Sequence, residues 1–444
     1  MSKNSVEKAP EFDLDKIDFS ILSPFIIAHK ATDDKGRYLH WDKLKWRVPR
    51  ADAENIWLAV KFHRVMQKRT VNLTDEKSRH FSYIITHSME EKLHKIIKFA
   101  EKNTKDGVEK PNLENIYQKF ILSSFMKEEA ITSAQLEGAS TTSKVAKKML
   151  EEERAPLDED ERMILNNFLL LKHTEKKSSD ELTVDLILEF HRIATNLTTE
   201  NNVIPGEFRQ NNDIYVEDKG EIAHQPPCYS EIPYRLQKLC DFANTDHSGS
   251  DQNQFIDPVI KAIILHFMIG YEHPFRDGNG RTARALFYWF MLKNKYELFR
   301  YISISKLLKS DPKGYGLSYM YTEKDQNDLT YFIDFQLDII LSAFGEWEEY
   351  LKNRKNDFNH ILNVLEGSKF NSLLNNVQKD IINRSIKEPG RVFTAIEIAN
   401  SYFYSENTAR SYLSKLVSLK LLLETKDGRT KLYIAPYDLM QRLK

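Results

Sequence analysis

Residues 258–271 (PVIKAIILHFMIGY) form a nearly unbroken apolar run, the length of a buried helix and broken only by Lys261 and His266. That is too short, and too interrupted by polar groups, for a membrane span. Residues 281–293 (RTARALFYWFMLK) carry a second helical pattern, with Ala283, Leu286, Phe287 and Phe290 spaced for one face. Between them lies a short polar stretch rich in glycine. Residues 119–137 (KFILSSFMKEEAITSAQLE) predict another helix, and 81–102 (FSYIITHSMEEKLHKIIKFAEK) an amphipathic one. Residues 305–321 and 328–344 read as helices that complete an all-α core, and the charged stretch 345–370 as a connecting helix. β signals are few. Ile214-Tyr215-Val216 and Ile222-Ala223-His224 flank Asp218-Lys219-Gly220, which predicts a hairpin.

The last seventy residues repeat a different order. Residues 375–387, 395–402 and 405–420 predict three helices, with Ser405 as an N-cap, and 391–394 a short strand. Residues 421–425 and 430–434 predict a hairpin around Asp427-Gly428. The fold class is therefore mainly α with small β elements. The chain divides into an N-terminal, mainly helical region (1–115), a central domain (116–350), a helical linker (351–374) and a C-terminal module (375–444). The polar segment EKNTKDGVEKPN is a connector between the first two, and NTDHSGSDQNQ (244–254) a loop. Trp41, Trp46 and Trp57 give the first region apolar bulk, but its sequence assigns it no function.

Composition narrows the class. With 64 Lys and Arg against 65 Asp and Glu, a formal net charge of −1 exerts no general pull toward nucleic acid or membrane. Two cysteines, Cys228 and Cys240, cannot build a disulfide framework, and the polar N-terminus lacks a signal-peptide core. Both point to a cytoplasmic protein. The histidines show no zinc-ligand spacing.

The chemistry concentrates in residues 273–284, His-Pro-Phe-Arg-Asp-Gly-Asn-Gly-Arg-Thr-Ala-Arg. Gly278 and Gly280 let backbone N–H groups approach an anion where a helix begins. Arg281 and Arg284 supply planar forks for phosphate. Asp277 can hold a divalent cation and His273 can take a proton near neutral pH. Phe275 reads as a plug that anchors the loop in the core.

This stretch resembles the Fic family motif, His-x-Phe-x-Asp/Glu-Gly-Asn-Gly-Arg-x-x-Arg, at every defining position. The resemblance implies transfer of AMP from ATP to a Ser, Thr or Tyr hydroxyl of a target protein. It implies His273 as general base, Asp277 as ligand of Mg²⁺, and Asn279 at the α-phosphate. Gly278 and Gly280 would form the anion cradle, Arg281 would hold the β-phosphate and Arg284 the γ-phosphate. A phosphorylating subgroup carries Lys at the position of Gly280; the glycine here favours nucleotidyl transfer. Tyr315 falls near a nucleoside contact of relatives. Upstream, Thr132-Ser133-Ala134-Gln135-Leu136-Glu137-Gly138 resembles the family's inhibitory motif on a helix of about 119–138, with Ser133 and Glu137 on one face. A glutamate aimed at Arg284 would take the arginine that the γ-phosphate needs. In some relatives the same glutamate assists removal of AMP, and the sequence leaves both uses open. Residues 206–227 resemble the flap that holds a target segment by strand addition, here through Ile214, Tyr215 and Val216. Self-modification and homodimer formation are further family traits, and UTP, GTP or CDP-choline serve some relatives in place of ATP.

Residues 375–444 resemble a winged-helix domain, with Thr408, Arg410, Ser411 and Lys415 on the recognition face. Twelve Lys and Arg against seven Asp and Glu make it mildly basic, and winged helices contact either DNA or protein. The competing class is thus a DNA-binding transcriptional regulator whose central domain senses nucleotide. The intact His273 speaks against a pure sensor, because binding phosphate needs no base there.

Overall fold

A computed structural model describes residues 6–105, 114–218, 221–249, 254–365, 368–428 and 430–443. Helices α1 (Phe19–Ala28), α2 (Trp41–Leu44) and α3 (Ala53–Gln67) enclose Trp41 and Trp57 in a small N-terminal core. The antiparallel hairpin β1 (Arg69–Thr74) and β2 (His80–Tyr83) precedes α4 (His87–Lys105). The expected helix over 81–102 is therefore shorter, because its first residues are a strand. Phe81 and Tyr83 alternate inward against Val71 and Leu73 of β1, so a two-residue period prevails there. Most of the expected connector (residues 106–112) lies outside the described residues.

The helical centre comprises α5 (Glu114–Leu136), α6 (Ser143–Glu152), α7 (Glu159–Lys176) and α8 (Val184–Ala194). The antiparallel pair β3 (Val216–Asp218) and β4 (Glu221–His224) follows, then α9 (Ile232–Asn244), α10 (Pro258–Glu272) and α11 (Asn279–Lys293). Helices α12 (Ile304–Ser310), α13 (Pro312–Lys324) and α14 (Thr330–Leu365) close it. Asp257 caps α10 by accepting from Val259 N–H, and Pro258 occupies its first turn. Nearly every side chain of α10 and α11 is buried. A helix apolar on all sides belongs at the centre of a helical layer, and the largest core is built around these two. Residues 305–321 are two helices: Asp311 ends α12 and its carboxylate accepts from Gly314 N–H to start α13.

In the C-terminal module, α15 (Asn376–Lys387), β5 (Val392–Phe393), α16 (Ala395–Tyr402), α17 (Glu406–Ser418), β6 (Leu423–Asp427), β7 (Thr430–Ile434) and α18 (Leu439–Arg442) enclose a second core. The strand order is β5-β7-β6, antiparallel throughout. Ser405 caps α17 by accepting from Thr408 N–H. Arg429 of the hairpin turn lies outside the described residues. The division at residue 350 falls inside α14, which continues unbroken to Leu365, and Ile361, Leu365, Phe370 and Leu374 belong to this second core. Among the described residues no helix is long and apolar enough to cross a membrane.

Candidate functional site

Two helix ends meet at the polar stretch between α10 and α11. Helix α10 stops at His273, whose backbone turns left-handed (φ 42°, ψ 56°) while its N–H still bonds Ile269 O at 3.0 Å. Helix α11 starts after Gly278, at φ 80°, with no side-chain cap. Its first N–H groups therefore lack the partners that a helix start leaves wanting, the condition of an anion-binding terminus. A Cβ on Gly278 would come within 2.8 Å of Thr195 Cγ2, so this position needs glycine for space as well as for φ.

The loop is braced from inside. Phe275 is fully buried and stacks on the ring of His191 in α8, with centroids 3.7 Å apart. His191 accepts from Gly206 N–H at Nδ1 (3.0 Å), so its Nε2 carries the hydrogen and donates to Asp277 O (3.0 Å). Burial holds this imidazole neutral, down to about 4. The Asn279 side chain braces the loop. Its Oδ1 accepts from Phe275 N–H (3.0 Å) and its Nδ2 donates to Phe275 O (2.8 Å). The side chain thereby closes the loop, and the backbone N–H of Asn279 lies at the start of α11, where an anion would meet it.

His273 is half-buried. Desolvation, seconded by the charge of His224, pulls its imidazole down to about 4. Nδ1 faces Gly270 O at 3.3 Å, which places the hydrogen there and leaves Nε2 with a free lone pair. Asp277 pairs with Arg281, whose Nη1 also donates to Ala194 O at 2.9 Å. Among the described residues no cluster of three His, Cys, Asp or Glu could hold a metal ion by itself. One carboxylate fits magnesium, which takes few protein ligands and fills its shell with water and phosphate oxygen.

Arg284 is enclosed. Its Nε donates to Ser133 Oγ (2.9 Å), and Nη2 donates to Ser133 O (3.1 Å) and to Glu137 Oε1 (2.8 Å). Ser133 and Glu137 thus present one face at the end of α5. The Glu137 carboxylate lies over the start of α11, where a Cβ on Gly280 would collide with its Oε1. Burial opposes its ionisation, but the charges of Arg284 and Arg281 outweigh this and hold it below the usual carboxylate range. Two nitrogens of the cradle, Arg281 Nε and Arg284 Nη1, are buried with no hydrogen-bond partner among the described residues. Unspent buried donors beside an uncapped helix start are what a polyphosphate would satisfy.

The flap is shorter than the sequence reading. Of Ile214, Tyr215 and Val216, only Val216 is in β3, paired with His224, and Lys219 and Gly220 lie outside the described residues. Tyr215, Val216 and Ile222 are exposed apolar side chains. The hairpin is pinned by Arg209 and His224. Arg209 Nε donates to His273 O at 2.9 Å. His224, in β4 as the hairpin pattern predicts, is buried, with Nε2 on Tyr271 O and Nδ1 on Glu323 Oε2, both at 2.7 Å. Burial works against its protonation, but Glu323 prevails and raises its pKa. No local pattern identifies either residue, because each partner is remote in sequence. Tyr315 is half-buried; its hydroxyl meets His266 Nε2 at 2.8 Å within the aromatic group of Tyr319 and Phe332.

Residues 181–291 match the model of the Fic/DOC family. That interval contains the loop, the flap and both arginines; Ser133, Glu137 and Tyr315 lie outside it. The protein adenylyltransferase Fic of Drosophila willistoni is 34% identical over 116 residues, which is 26% of this chain and 21% of that protein. The protein of the same name from Drosophila virilis matches to the same extent. The chain thus spans about a fifth of the length of the curated relatives it matches. A crystal structure of a Fic family protein from Desulfovibrio desulfuricans G20 superimposes with a TM-score of 0.51 at 16% identity, covering 79% of this chain and 97% of that one. At that identity the likeness concerns the fold.

Proposed function

We propose, from the premise that residues 181–291 are a Fic-family domain, that this chain transfers AMP from ATP to a side-chain hydroxyl of a protein and is restrained by its own Glu137. The observation that carries the reading is the convergence of a neutral His273, with Nε2 free, on an uncapped helix start flanked by Asp277, Arg281 and Arg284.

Each residue has work that its placement supports. His273 Nε2 accepts the proton of the attacking hydroxyl, and a desolvated imidazole is in the required form at pH 7. Arg209 fixes the backbone of that histidine by bonding its carbonyl. Backbone N–H groups of Asn279 and Gly280 face the phosphates, while Arg281 and Arg284 take up the outer charge. Magnesium, held by Asp277, would neutralise phosphate oxygens. The exposed edge and apolar side chains of β3 and β4 hold the target segment, so that positioning supplies much of the rate.

Restraint follows from competition. The Glu137 carboxylate occupies Arg284 and lies over Gly280, so a triphosphate seated productively would have to displace it. Incubating the Glu137→Gly chain with each nucleoside triphosphate and magnesium, followed by intact-mass measurement, tests the reading. Addition of AMP on the chain or on an added protein is expected from ATP. Addition of a different group, or none from any triphosphate, overturns it.

A further inference from the structure

A basic cleft lies where the C-terminal module meets α5 and α6. The C-terminal module docks α16 onto α5 and α6, where Asn400 Nδ2 donates to Glu151 O at 3.1 Å. Beside that contact runs a cleft of about 820 Å³, walled by α5 and α6 on one side and by α15, Arg391 and α16 on the other. Seven Lys and Arg line it against four glutamates. The charge is unevenly balanced. On the module side, Glu388 and Glu397 both bond Arg391, and Glu397 also lies 3.6 Å from Arg384. On the other side, Lys147 pairs with Glu128 at 2.8 Å and Lys148 reaches Glu152 only at 3.9 Å. Lys144 and Lys148 are exposed at the rim.

At the floor is Lys127, 5% exposed. Its nearest carboxylate oxygen, Glu151 Oε1, is 3.7 Å from Nζ, beyond hydrogen-bond range. A largely buried ammonium whose carboxylate partner stands this far off is only weakly compensated, and an anion in the cleft would supply a closer acceptor. Burial also depresses the pKa of Lys127, which Glu151 and Glu397 oppose only in part.

We propose that this cleft binds a small polyphosphorylated anion, with Lys127 as its buried contact and Lys144 and Lys148 at its rim. The volume is that of a small-molecule site rather than of a duplex groove. Lys127 lies on α5, ten residues before Glu137, which immediately follows the end of that helix, about 15 Å along its axis. The inference does not depend on what the His273 cradle transfers.

Calorimetric titration of the full chain with inorganic tripolyphosphate tests it, using Arg284→Ala to disable the other cradle. The Arg284→Ala chain is expected to keep one binding event. Adding Lys127→Met should weaken that event at least about tenfold. The double substitution Lys144→Ala with Lys148→Ala, on exposed positions that cannot disturb the core, should also weaken it and serves where Lys127→Met fails to fold. Loss of all binding with Arg284→Ala alone overturns the proposal. So does binding indifferent to these lysines, or a duplex DNA that displaces tripolyphosphate from them.

Discussion

At the scale of single residues, the site is governed by which polar groups are already spent. Glu137 and Ser133 between them occupy Arg284 Nε and Nη2. Replacing Glu137 with glycine removes the competing anion but leaves the Ser133 bonds to hold the guanidinium in place. Label incorporation from α-labelled ATP is expected to rise at least about tenfold, the ratio that 1.4 kcal/mol of lost competition yields; an unchanged rate would remove the restraint from Glu137. His273→Ala should lower transfer about a hundredfold to ten-thousandfold, the usual worth of a positioned base, while ATP binding measured by calorimetry persists. The histidine also sets a pH dependence. Its folded value of about 4 lies below the ordinary value near 6.5. The neutral base therefore survives acidification: transfer by the Glu137→Gly chain should be flat from pH 8 to 6 and fall only toward pH 4 to 5. A midpoint near 6.5 would contradict a desolvated imidazole. The same shift costs stability as pH drops below about 6.5, since the unfolded chain takes up the proton first. That His273, Asp277 and Arg284 meet at one pair of helix ends was legible because a motif puts them within twelve residues. The double use of Asn279 was not, since the spacing that suits a phosphate contact equally suits a bond back to the Phe275 peptide.

At the scale of elements, the sequence was most legible where burial is complete. The runs over 258–271 and 281–293 correspond to α10 and α11 because a helix surrounded by protein needs no polar face. It was least legible where two short elements share one stretch. Residues 81–102 carry a helical period in their second part only, and the alternation of Val71, Leu73, Phe81 and Tyr83 was the signal for β1 and β2. The flap shows why tertiary partners escape a linear reading. His224 joins β4 to the end of α10 through Tyr271 O and to α13 through Glu323. Its pKa is raised, so the protonated form is the one that the fold favours. The stabilisation is complete below the unfolded value near 6.5 and is lost as pH rises through the raised folded value. Amide-exchange protection of Ile222 and Ala223, corrected for intrinsic rate, should therefore decline between pH 6 and 9. Glu323→Gln should lower protection at pH 6 and flatten that decline. A flap equally protected at both pH values, or unaffected by Glu323→Gln, would show that His224 is no pin.

At the scale of the whole molecule, one helix belongs to two cores. The first part of α14 packs its Phe332, Ile333, Leu337 and Ile340 into the central core, and its last turns put Ile361 and Leu365 into the C-terminal core. The many charged residues in the sequence of 345–370 make this stretch read as a linker when taken alone, since the residues that matter, Ile361 and Leu365, take their meaning from α15 to α17. The consequence is asymmetric for truncation. A chain ending at residue 374 keeps Ile361, Leu365, Phe370 and Leu374, all buried in the intact protein, but loses everything that covers them. A chain ending at residue 350 loses those four side chains together with their cover. Both also uncover the face of α5 and α6 against which α16 sits. The shared loss should lower the melting temperature of both, whereas only the 1–374 chain exposes a contiguous apolar end, a feature that drives association. Light scattering at matched concentration is expected to show the 1–374 chain self-associating and the 1–350 chain much less so. The reverse order, or two monomeric chains, would mean that the end of α14 folds without its second core.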